Sequence, residues 1–121
     1  MNENELHELK NTVMQEIRRG ILVLAALSEL SDEKYGYSLI NSLAEKGLEI
    51  DQGTLYPLLR RLESQGLLNS VWNVEGARPR RYYHLNDSGE QMLTMLAAEW
   101  QSLTGVMENL LSPYQPAKKE G

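Results

Sequence analysis

The spacing of apolar residues changes twice along this chain, and the resulting order of elements limits the folds open to it. Apolar side chains recur at three- or four-residue steps, the mark of helices, in three successive segments: residues 6–27, 37–44 and 55–62. Two β-rich runs separated by a short glycine-containing gap follow at residues 67–74 and 79–86. Helical spacing then returns over residues 93–110. The sequence therefore predicts a mostly α protein with a small β-hairpin, of the α+β class.

Length and composition limit this fold to one modest core. The chain has 121 residues, of which 41% are apolar, as is typical of one globular domain. The absence of cysteine excludes disulfides, thiolate metal sites and a cysteine nucleophile. No apolar run reaches the roughly 18 residues that a membrane span needs, and the amino-terminal MNENELHELK is acidic and amphipathic rather than signal-like. We therefore expect a cytoplasmic protein that does not enter a membrane.

No residue pattern in the sequence is typical of a catalytic or metal site. His7 and His84 are far apart, with no second ligand at metal-binding spacing. The serine, aspartate and histidine residues form no arrangement that would activate a nucleophile, and the chain has no glycine-rich phosphate loop. We therefore expect no enzymatic activity, no metal and no cofactor.

The charge of the chain is distributed unevenly. The net charge is -5, yet residues 51–86 hold five arginines and three acids, a net charge of +2. Residues 1–50 and residues 87–111 each have a net charge of -4. Arginine has a planar fork that suits phosphate groups and guanine edges, so a polyanion is expected to contact the middle segment.

The stretch GTLYPLLRRLESQGLL, residues 53–68, predicts a helix with one buried and one exposed face. Its leucines share a face at 100° per residue, within about 60° of Leu55: Leu58, Leu59 and Leu62. The opposite face carries the polar and special residues Gly53, Thr54, Tyr56, Pro57, Arg60, Arg61 and Ser64. Proline lacks an amide hydrogen and fits the first turn of a helix, so we expect the cap at Thr54 or just before it, with the amino end open to a ligand. Gln65-Gly66 is expected to end the helix.

The first and last helical segments have features of their own. Gly20 interrupts the first stripe, and a glycine inside a helix costs roughly 1 kcal/mol relative to alanine, so we predict either one long helix with a weak point or two helices that meet near Gly20. Residues 21–27 should form the central core helix. Asp87 followed by Glu90 resembles a capping box, and a heptad seam of about two and a half repeats follows it: Leu93, Leu96, Trp100, Leu103, Met107 and Leu110.

Three helices, a hairpin and a long helix are the order of a winged helix-turn-helix with an appended dimerisation helix, in which the third helix enters the major groove of DNA. The sequence also resembles the PadR-type transcriptional regulators over nearly all of residues 18–111. The matching stretches are RRGILVLAAL, YGYSLINSLAEKG, GTLYPLLRRLESQGLL, Trp72 in the strand after it, GARPRRYYHLNDSG and EWQSLTGVMENLL. Residues 1–86 are then the DNA-binding domain with a helical amino-terminal extension, residues 87–111 the dimerisation helix of the same compact unit, and residues 112–121 a flexible tail.

The resemblance implies a sequence-specific DNA-binding regulator that acts as a homodimeric repressor at a double-stranded DNA operator. A small aromatic or amphiphilic ligand would release it. In short members of the family a tryptophan of the last helix can line a ligand cavity at the dimer interface, and Trp100 has the matching place, with Leu96, Leu103 and Met107 beside it on the seam. Residues 1–15 would add a helix against the partner's last helix.

Eight residues are predicted to contact DNA: Tyr35, Gly53, Thr54, Tyr56, Arg60, Arg61, Arg78 and Arg80. Arg60 is the better candidate for the groove. Arg61 lies nearer the edge of the exposed face, where it could instead pair with Glu63 or Glu45. Arg78 and Arg80 are candidates for phosphate or minor-groove contacts, the alternative being a turn followed by solvated strand residues.

Alternation along a strand prevents Arg80 and Arg81 from pointing the same way, and it places one of Tyr82 and Tyr83 in the core. The other aromatic residues divide similarly. Tyr37 follows the apolar stripe and is expected in the core, whereas Tyr35 is the candidate to donate to phosphate. Trp72 is expected to pack in the core or against the hairpin.

Two other classes of function fit the same sequence. A winged helix can bind another protein instead of DNA, and the net charge of -5 supports that interpretation. A carrier of hydrophobic ligands with no role on DNA is the third hypothesis. Removal of Arg60 and Arg80 distinguishes the three, because only the DNA-binding hypothesis predicts a loss of operator binding.

Overall fold

A computed structural model describes residues 1–115 and confirms the predicted mixture of helices and a small antiparallel sheet. The elements are, in chain order, α1 (Glu3–Glu29), β1 (Lys34–Tyr35), α2 (Gly36–Glu45), α3 (Gln52–Ser64), β2 (Leu68–Asn73), β3 (Arg80–Leu85) and α4 (Asp87–Leu111). Ser112–Tyr114 form a short 3-10 helix after α4. The rest of the predicted tail, residues 116–121, lies outside the described residues.

Helix α1 is continuous through Gly20, so the first of the two alternatives for this segment is correct. Its carboxy-terminal half carries the buried residues Leu22, Ala26 and Leu27 and runs through the centre of the molecule, as predicted for residues 21–27. Its amino-terminal half has an exposed apolar stripe: Leu6, Leu9, Val13, Met14 and Ile17.

Helices α2 and α3 form the helix-turn-helix, and a glycine ends each of them. Gly47 has φ +94° and Gly66 has φ +86°, a left-handed conformation that glycine adopts without steric cost. After α2, the Leu48 amide donates to the Leu43 carbonyl at 2.8 Å. After α3, the Leu67 amide donates to the Leu62 carbonyl at 3.0 Å. Both ends therefore have the predicted glycine cap.

The sheet has the strand order β1-β3-β2 and contains one strand that the sequence did not predict. Strands β2 and β3 form the predicted hairpin, with Trp72 opposite Arg81 and Ser70 opposite Tyr83. The two-residue strand β1 pairs with the other edge of β3, with Tyr35 opposite Tyr82. This short strand joins the helix-turn-helix to the base of the β2–β3 hairpin. The hairpin is the wing of the fold.

Two predicted helix caps are wrong, although α4 begins at Asp87 and ends at Leu111 as predicted. The cap of α3 is Asp51, whose carboxylate accepts from the Thr54 amide at 3.0 Å. Pro57 therefore lies in the second turn, where its missing amide leaves only the Gly53 carbonyl without its helical partner. The cap of α4 is Asn86 rather than Asp87, and its side chain accepts from the Gly89 amide at 2.9 Å.

The core is built from leucines of all three central helices and closed by the base of the sheet. The buried residues are Leu22, Ala26, Leu27, Leu30, Leu39, Leu43, Leu55, Leu58, Leu59, Leu62, Leu68, Tyr83 and Leu85. Tyr83 is thus the core member of the tyrosine pair, as alternation requires. Tyr37, which was expected in the core, is 53% exposed, so that prediction is wrong. Trp72 is 62% exposed and therefore not in the core, but its ring lies 5.8 Å from the guanidinium carbon of Arg81 on the neighbouring hairpin strand, the second of the two places predicted for it.

Candidate nucleic-acid interface

The exposed face of α3 presents two arginines to solvent. The leucines of this helix are buried in the core, so the helix is fixed with Arg60 and Arg61 outward. Gly53 and Thr54 are exposed in its first turn. The Asp51 carboxylate occupies the amino end of the helix, so that end is not open to a ligand as the sequence suggested. The hydrogen bonds from the Thr54 side chain and amide lower the pKa of Asp51.

Tyr56 is less exposed than the sequence suggested. Its ring is half-buried against the edge of the core and lies directly over Gly36, the first residue of α2. A Cβ atom at Gly36 would lie 2.2 Å from the Tyr56 ring, so only glycine allows this approach. The contact fixes Tyr56 where α2 and α3 meet.

The hairpin carries a second group of basic residues. Arg80 is exposed, and its guanidinium lies 4.6 Å from the centre of the Tyr35 ring. Tyr35 in turn packs edge-on against Tyr82, with ring centres 5.5 Å apart. These contacts orient the Arg80 side chain without neutralising its charge. Arg78 is exposed in the connection between β2 and β3.

A cleft of about 340 Å³ separates α3 from the hairpin and collects several of the predicted site residues. Its walls include Tyr35, Tyr56, Arg60 and Arg80. Three of its other lining residues were not predicted to belong to the site: Trp72, Arg81 and Tyr83. Aromatic faces and guanidinium groups line the cleft together, which suits the phosphates and sugars of a nucleic-acid backbone.

Tyr83 closes the base of the cleft. It is 7% exposed, and burial raises the pKa of its phenol above the ordinary value of 10.0. Like any tyrosine at neutral pH, Tyr83 carries a phenolic proton and can act as a hydrogen-bond donor.

Arg81 is partly buried and paired with an acid, whereas Arg78 and Arg80 are exposed. Its guanidinium donates to the Glu63 carboxylate at 2.6 Å and to the Ser70 hydroxyl at 3.0 Å. Glu63 was one of two possible partners for Arg61, the other being Glu45, but the carboxylate of Glu63 pairs with Arg81 of the hairpin. Strand alternation correctly predicted that Arg80 and Arg81 point in different directions. Which acid pairs with Arg81 depends on how the hairpin folds back on α3.

Two arginines of α1 lie beside the start of α3, and no pattern in the sequence indicated them. Arg18 donates to the carbonyl of Glu49 in the α2–α3 connection. Arg19 is exposed and lines a groove with Arg18, Asp51 and Thr54. Their segment has a net negative charge, so counting charges along the chain hid them. Only the crossing of α1 past the α2–α3 connection reveals the proximity.

The seam residues of α4 are accessible in the single chain. Trp100 is 43% exposed, Leu103 56% and Met107 45%, whereas Leu96 is half-buried against the core. A groove of about 390 Å³ runs between α1 and α4 next to Trp100. Its lining is mostly apolar: Ile21, Leu24, Ala25, Ser28, Leu93, Ala97, Trp100 and Gln101.

Among residues 1–115, no group of three or more histidines, acids or cysteines is placed to hold a metal ion. Within the same residues, no helix is long and apolar enough to cross a membrane. A helix-turn-helix whose second helix presents arginines, next to a basic two-stranded wing, defines the winged-helix class of DNA-binding proteins.

Comparison with known proteins identifies the family. Residues 23–95 match the transcriptional regulator PadR-like family. A transcriptional regulator of Mycobacterium tuberculosis, Rv3488, is 39% identical over 82 residues, which are 67% of this chain and 77% of that protein. This chain belongs to the PadR-like family of transcriptional regulators, a DNA-binding and non-enzymatic class.

Solved structures agree with this assignment. A PadR family transcriptional regulator from Eggerthella lenta is 44% identical and superposes with a TM-score of 0.82, over 88% of this chain and 96% of that one. A PadR-like transcriptional regulator from Bacillus cereus is 29% identical with a TM-score of 0.70, over 79% of this chain and 96% of that one. The resemblance seen in the sequence is thus confirmed.

Proposed function

We propose that this protein is a homodimeric, sequence-specific repressor that a small aromatic or amphiphilic ligand releases from its operator. The observation that carries the DNA-binding part is the cleft between α3 and the wing, where Arg60 and Arg80 converge from two elements. In this proposal α3 enters the major groove with Arg60, and Arg78 and Arg80 contact the backbone beside it. Tyr35, Tyr56, Thr54 and Gly53 lie around these contacts, and Arg61 lies at their edge.

The acidic remainder of the molecule supports this orientation. Residues 87–111 hold four acids and no base, so α4 would be repelled by a polyanion. Because only the arginine face attracts DNA, non-specific binding in other orientations is disfavoured. Each arginine that meets a phosphate releases counterions, and the affinity should fall steeply with salt.

The apolar surface of α1 and α4 supports the homodimer. A soluble monomer rarely exposes a large contiguous apolar patch, yet the seam of α4 and the stripe of α1 are both accessible here. Two α4 helices packed along the seam would place two copies of α3 on one side of the dimer, where they can contact adjacent half-sites about one helical turn apart.

The groove beside Trp100 supports a ligand-binding role. It joins α1 to α4, so a molecule bound in it would contact both of the helices proposed to form the dimer interface. A planar aromatic compound can stack on the exposed Trp100 ring. Binding would then favour a dimer geometry whose α3 helices no longer match the operator.

An anisotropy titration tests the DNA-binding part. The purified protein is titrated into DNA from its own upstream region and into random DNA at several salt concentrations. The Arg60→Ala/Arg80→Ala variant should lose most of the specific affinity and lower the salt slope by about two. Lys10→Ala, which removes one positive charge from the distant part of α1, is the control and should change little. Unaltered binding by the double variant would refute this interface. If the unaltered protein binds its upstream DNA no more tightly than random DNA, the protein-interaction alternative is favoured.

Tryptophan fluorescence tests the ligand-binding part. Trp72 contributes background emission, so the measurement uses the Trp72→Phe form, in which Trp100 is the single tryptophan. Quenching by planar aromatic or cationic compounds, together with release of the protein from DNA at the same concentrations, is the expected result. A panel that leaves the emission and the DNA affinity unchanged would contradict the proposed ligand class.

A further inference from the structure

The wing projects from the body of the protein with little to hold it. Residues 71–80 are all exposed, from the middle of β2 through the connection to the first residue of β3. Burial begins again only at Arg81 on β3 and at Ser70 on β2. The orientation of the wing relative to α3 is therefore determined by contacts at its base.

Three side chains from three elements form a closed hydrogen-bonded group at that base: Glu63 of α3, Ser70 of β2 and Arg81 of β3. The Arg81 guanidinium donates to one oxygen of Glu63 at 2.6 Å and to the Ser70 hydroxyl at 3.0 Å. The Ser70 hydroxyl donates to the other oxygen of Glu63. The Glu63 and Arg81 side chains are 26% and 34% exposed, so water competes only in part for these bonds.

Aromatic rings flank the same guanidinium. Its carbon lies 5.3 Å from the centre of the Tyr83 ring and 5.8 Å from that of Trp72. Trp72 is directly opposite Arg81 in the hairpin. The rings limit the directions in which Arg81 can move, and they place a fluorescent side chain next to it.

We propose that the Glu63–Ser70–Arg81 group positions the wing against α3, and that it determines DNA affinity without touching DNA. Its charges cancel, so Arg81 contributes little net attraction to a phosphate. Its geometry instead fixes where Arg78 and Arg80 lie while α3 is in the groove. The proposal rests on the DNA-binding function proposed above, and it assigns to Arg81 and Glu63 a positioning role that the sequence did not suggest.

Substitution of Glu63 separates positioning from simple electrostatics. If charge alone mattered, Glu63→Gln would bind DNA more tightly, because it removes an acid next to the basic face. The positioning role predicts the opposite, a three- to tenfold weaker binding, because the amide can no longer accept from Arg81 on one oxygen and from Ser70 on the other. Arg81→Gln should be weakened to the same extent, and the double variant no further than either single one, because one group is broken in all three.

The salt slope of binding distinguishes positioning from contact. Each of these variants is measured by anisotropy against a duplex selected from random DNA by the unaltered protein. The slope should stay unchanged in Arg81→Gln and fall by about one in Arg80→Gln, the matched neighbour on β3. If the unaltered protein selects no duplex, the proposed function itself fails. Tighter binding by Glu63→Gln, or an equal loss of slope in both arginine variants, would overturn the positioning role alone.

Two further measurements exclude unfolding as the cause. Thermal melting establishes that each variant is folded at the temperature of the titration. If Glu63→Gln is unfolded at that temperature, Ser70→Ala is used instead, because it removes two hydrogen bonds of the group without changing any charge. This variant should also weaken DNA binding while leaving the salt slope unchanged. In the Trp100→Phe form, the emission of Trp72 should shift when Arg81 is replaced by Gln and stay the same when Arg80 is. No shift in either variant would contradict the contact.

Discussion

Gly89 shows how one residue position controls the junction between the wing and the last helix. It is buried in the first turn of α4, and a Cβ atom there would lie 2.2 Å from the Leu67 carbonyl oxygen and 2.6 Å from a methyl group of Leu85. The Leu67 carbonyl belongs to the backbone, so it cannot shift to make room without disturbing the chain around it. We predict that Gly89→Ala lowers the free energy of unfolding by about 1–3 kcal/mol, measured by chemical denaturation.

Gly20 provides the matched control for this substitution. It also lies within a helix, but a Cβ atom added there would have no neighbouring atom within 4 Å. Alanine at this position should raise the free energy of unfolding by about 0.5–1 kcal/mol, because it lowers the entropy of the unfolded chain and favours the helix. Equal effects of the two alanines would refute the steric explanation for Gly89.

Glu29 makes the stability of the fold depend on pH. Its side chain is 11% exposed, pairs with Lys46 and accepts from the Ser42 hydroxyl at 2.5 Å. The Lys46 ammonium, followed by the Ser42 hydroxyl, lowers the pKa of Glu29 below its ordinary value of 4.5. Because the folded-state pKa is the lower one, this contribution is complete above pH 4.5 and is lost as the pH falls through the folded-state value.

The substitution Glu29→Gln isolates that contribution. At pH 7 it should lower the free energy of unfolding by about 1 kcal/mol, since charge-assisted hydrogen bonds become neutral ones. The difference from the unaltered protein should shrink as the pH is lowered below 4.5. Denaturation curves at pH 7 and at successively lower pH values measure it, and a difference that does not vary with pH would contradict the assignment.

At the scale of elements, apolar periodicity predicted the helices and strands that bury a face in the core. It did not predict the helix caps or the short strand β1, which depend on a few hydrogen bonds. The four leucines of α3 and the hairpin were predictable because burial of a face imposes a repeat. The cap of α3 was not, because a proline is usually confined to the first turn of a helix, whereas Pro57 lies in the second turn of α3. Strand β1 has two residues and too little length for any repeat.

The same distinction explains the results for the candidate site. Arg60 and Arg80 could be placed on exposed faces from α-helical and β-strand periodicity alone. The pairing of Arg81 with Glu63 and the proximity of Arg19 to Thr54 depend on how distant segments cross, which one sequence does not reveal. Tyr37 was misplaced because it follows the apolar stripe of α2 at helical spacing, while the structure leaves it 53% exposed.

The two arginines of α3 also differ in their surroundings. Arg60 lines the cleft with the wing, whereas Arg61, one residue further on, is exposed outside it. We predict that Arg60→Gln weakens binding to a selected duplex by about 1–3 kcal/mol and relaxes base preference. Arg61→Gln should weaken it less and leave the preference intact. Anisotropy titrations against the duplex and its single-base variants measure the affinity and the base preference of each variant. A larger effect of Arg61→Gln would mean that Arg61, not Arg60, reads the bases.

At the scale of the whole molecule, the basic cleft and the proposed dimer surface lie on different elements. The basic cleft is formed by α3 and the wing, and the exposed apolar residues are concentrated on the amino-terminal half of α1 and the seam of α4. A dimer formed through α1 and α4 would therefore leave both basic clefts free. In the proposed dimer this separation would allow two copies of α3 to reach one duplex, and DNA affinity would then depend on the dimer interface.

That dependence gives the last prediction. Leu103→Glu/Met107→Glu places two charges on the seam of a helix that already has a net charge of -4, so the interface should fail and the protein should sediment as a monomer. DNA affinity should fall by more than about tenfold, because the second α3 no longer binds as part of the same complex. Ser102→Glu, an exposed position off the seam, is the control and should remain dimeric. Sedimentation and anisotropy on the same samples decide the matter: a seam variant that stays dimeric would place the interface elsewhere, and a monomer with full affinity would refute the dependence of DNA binding on dimerisation.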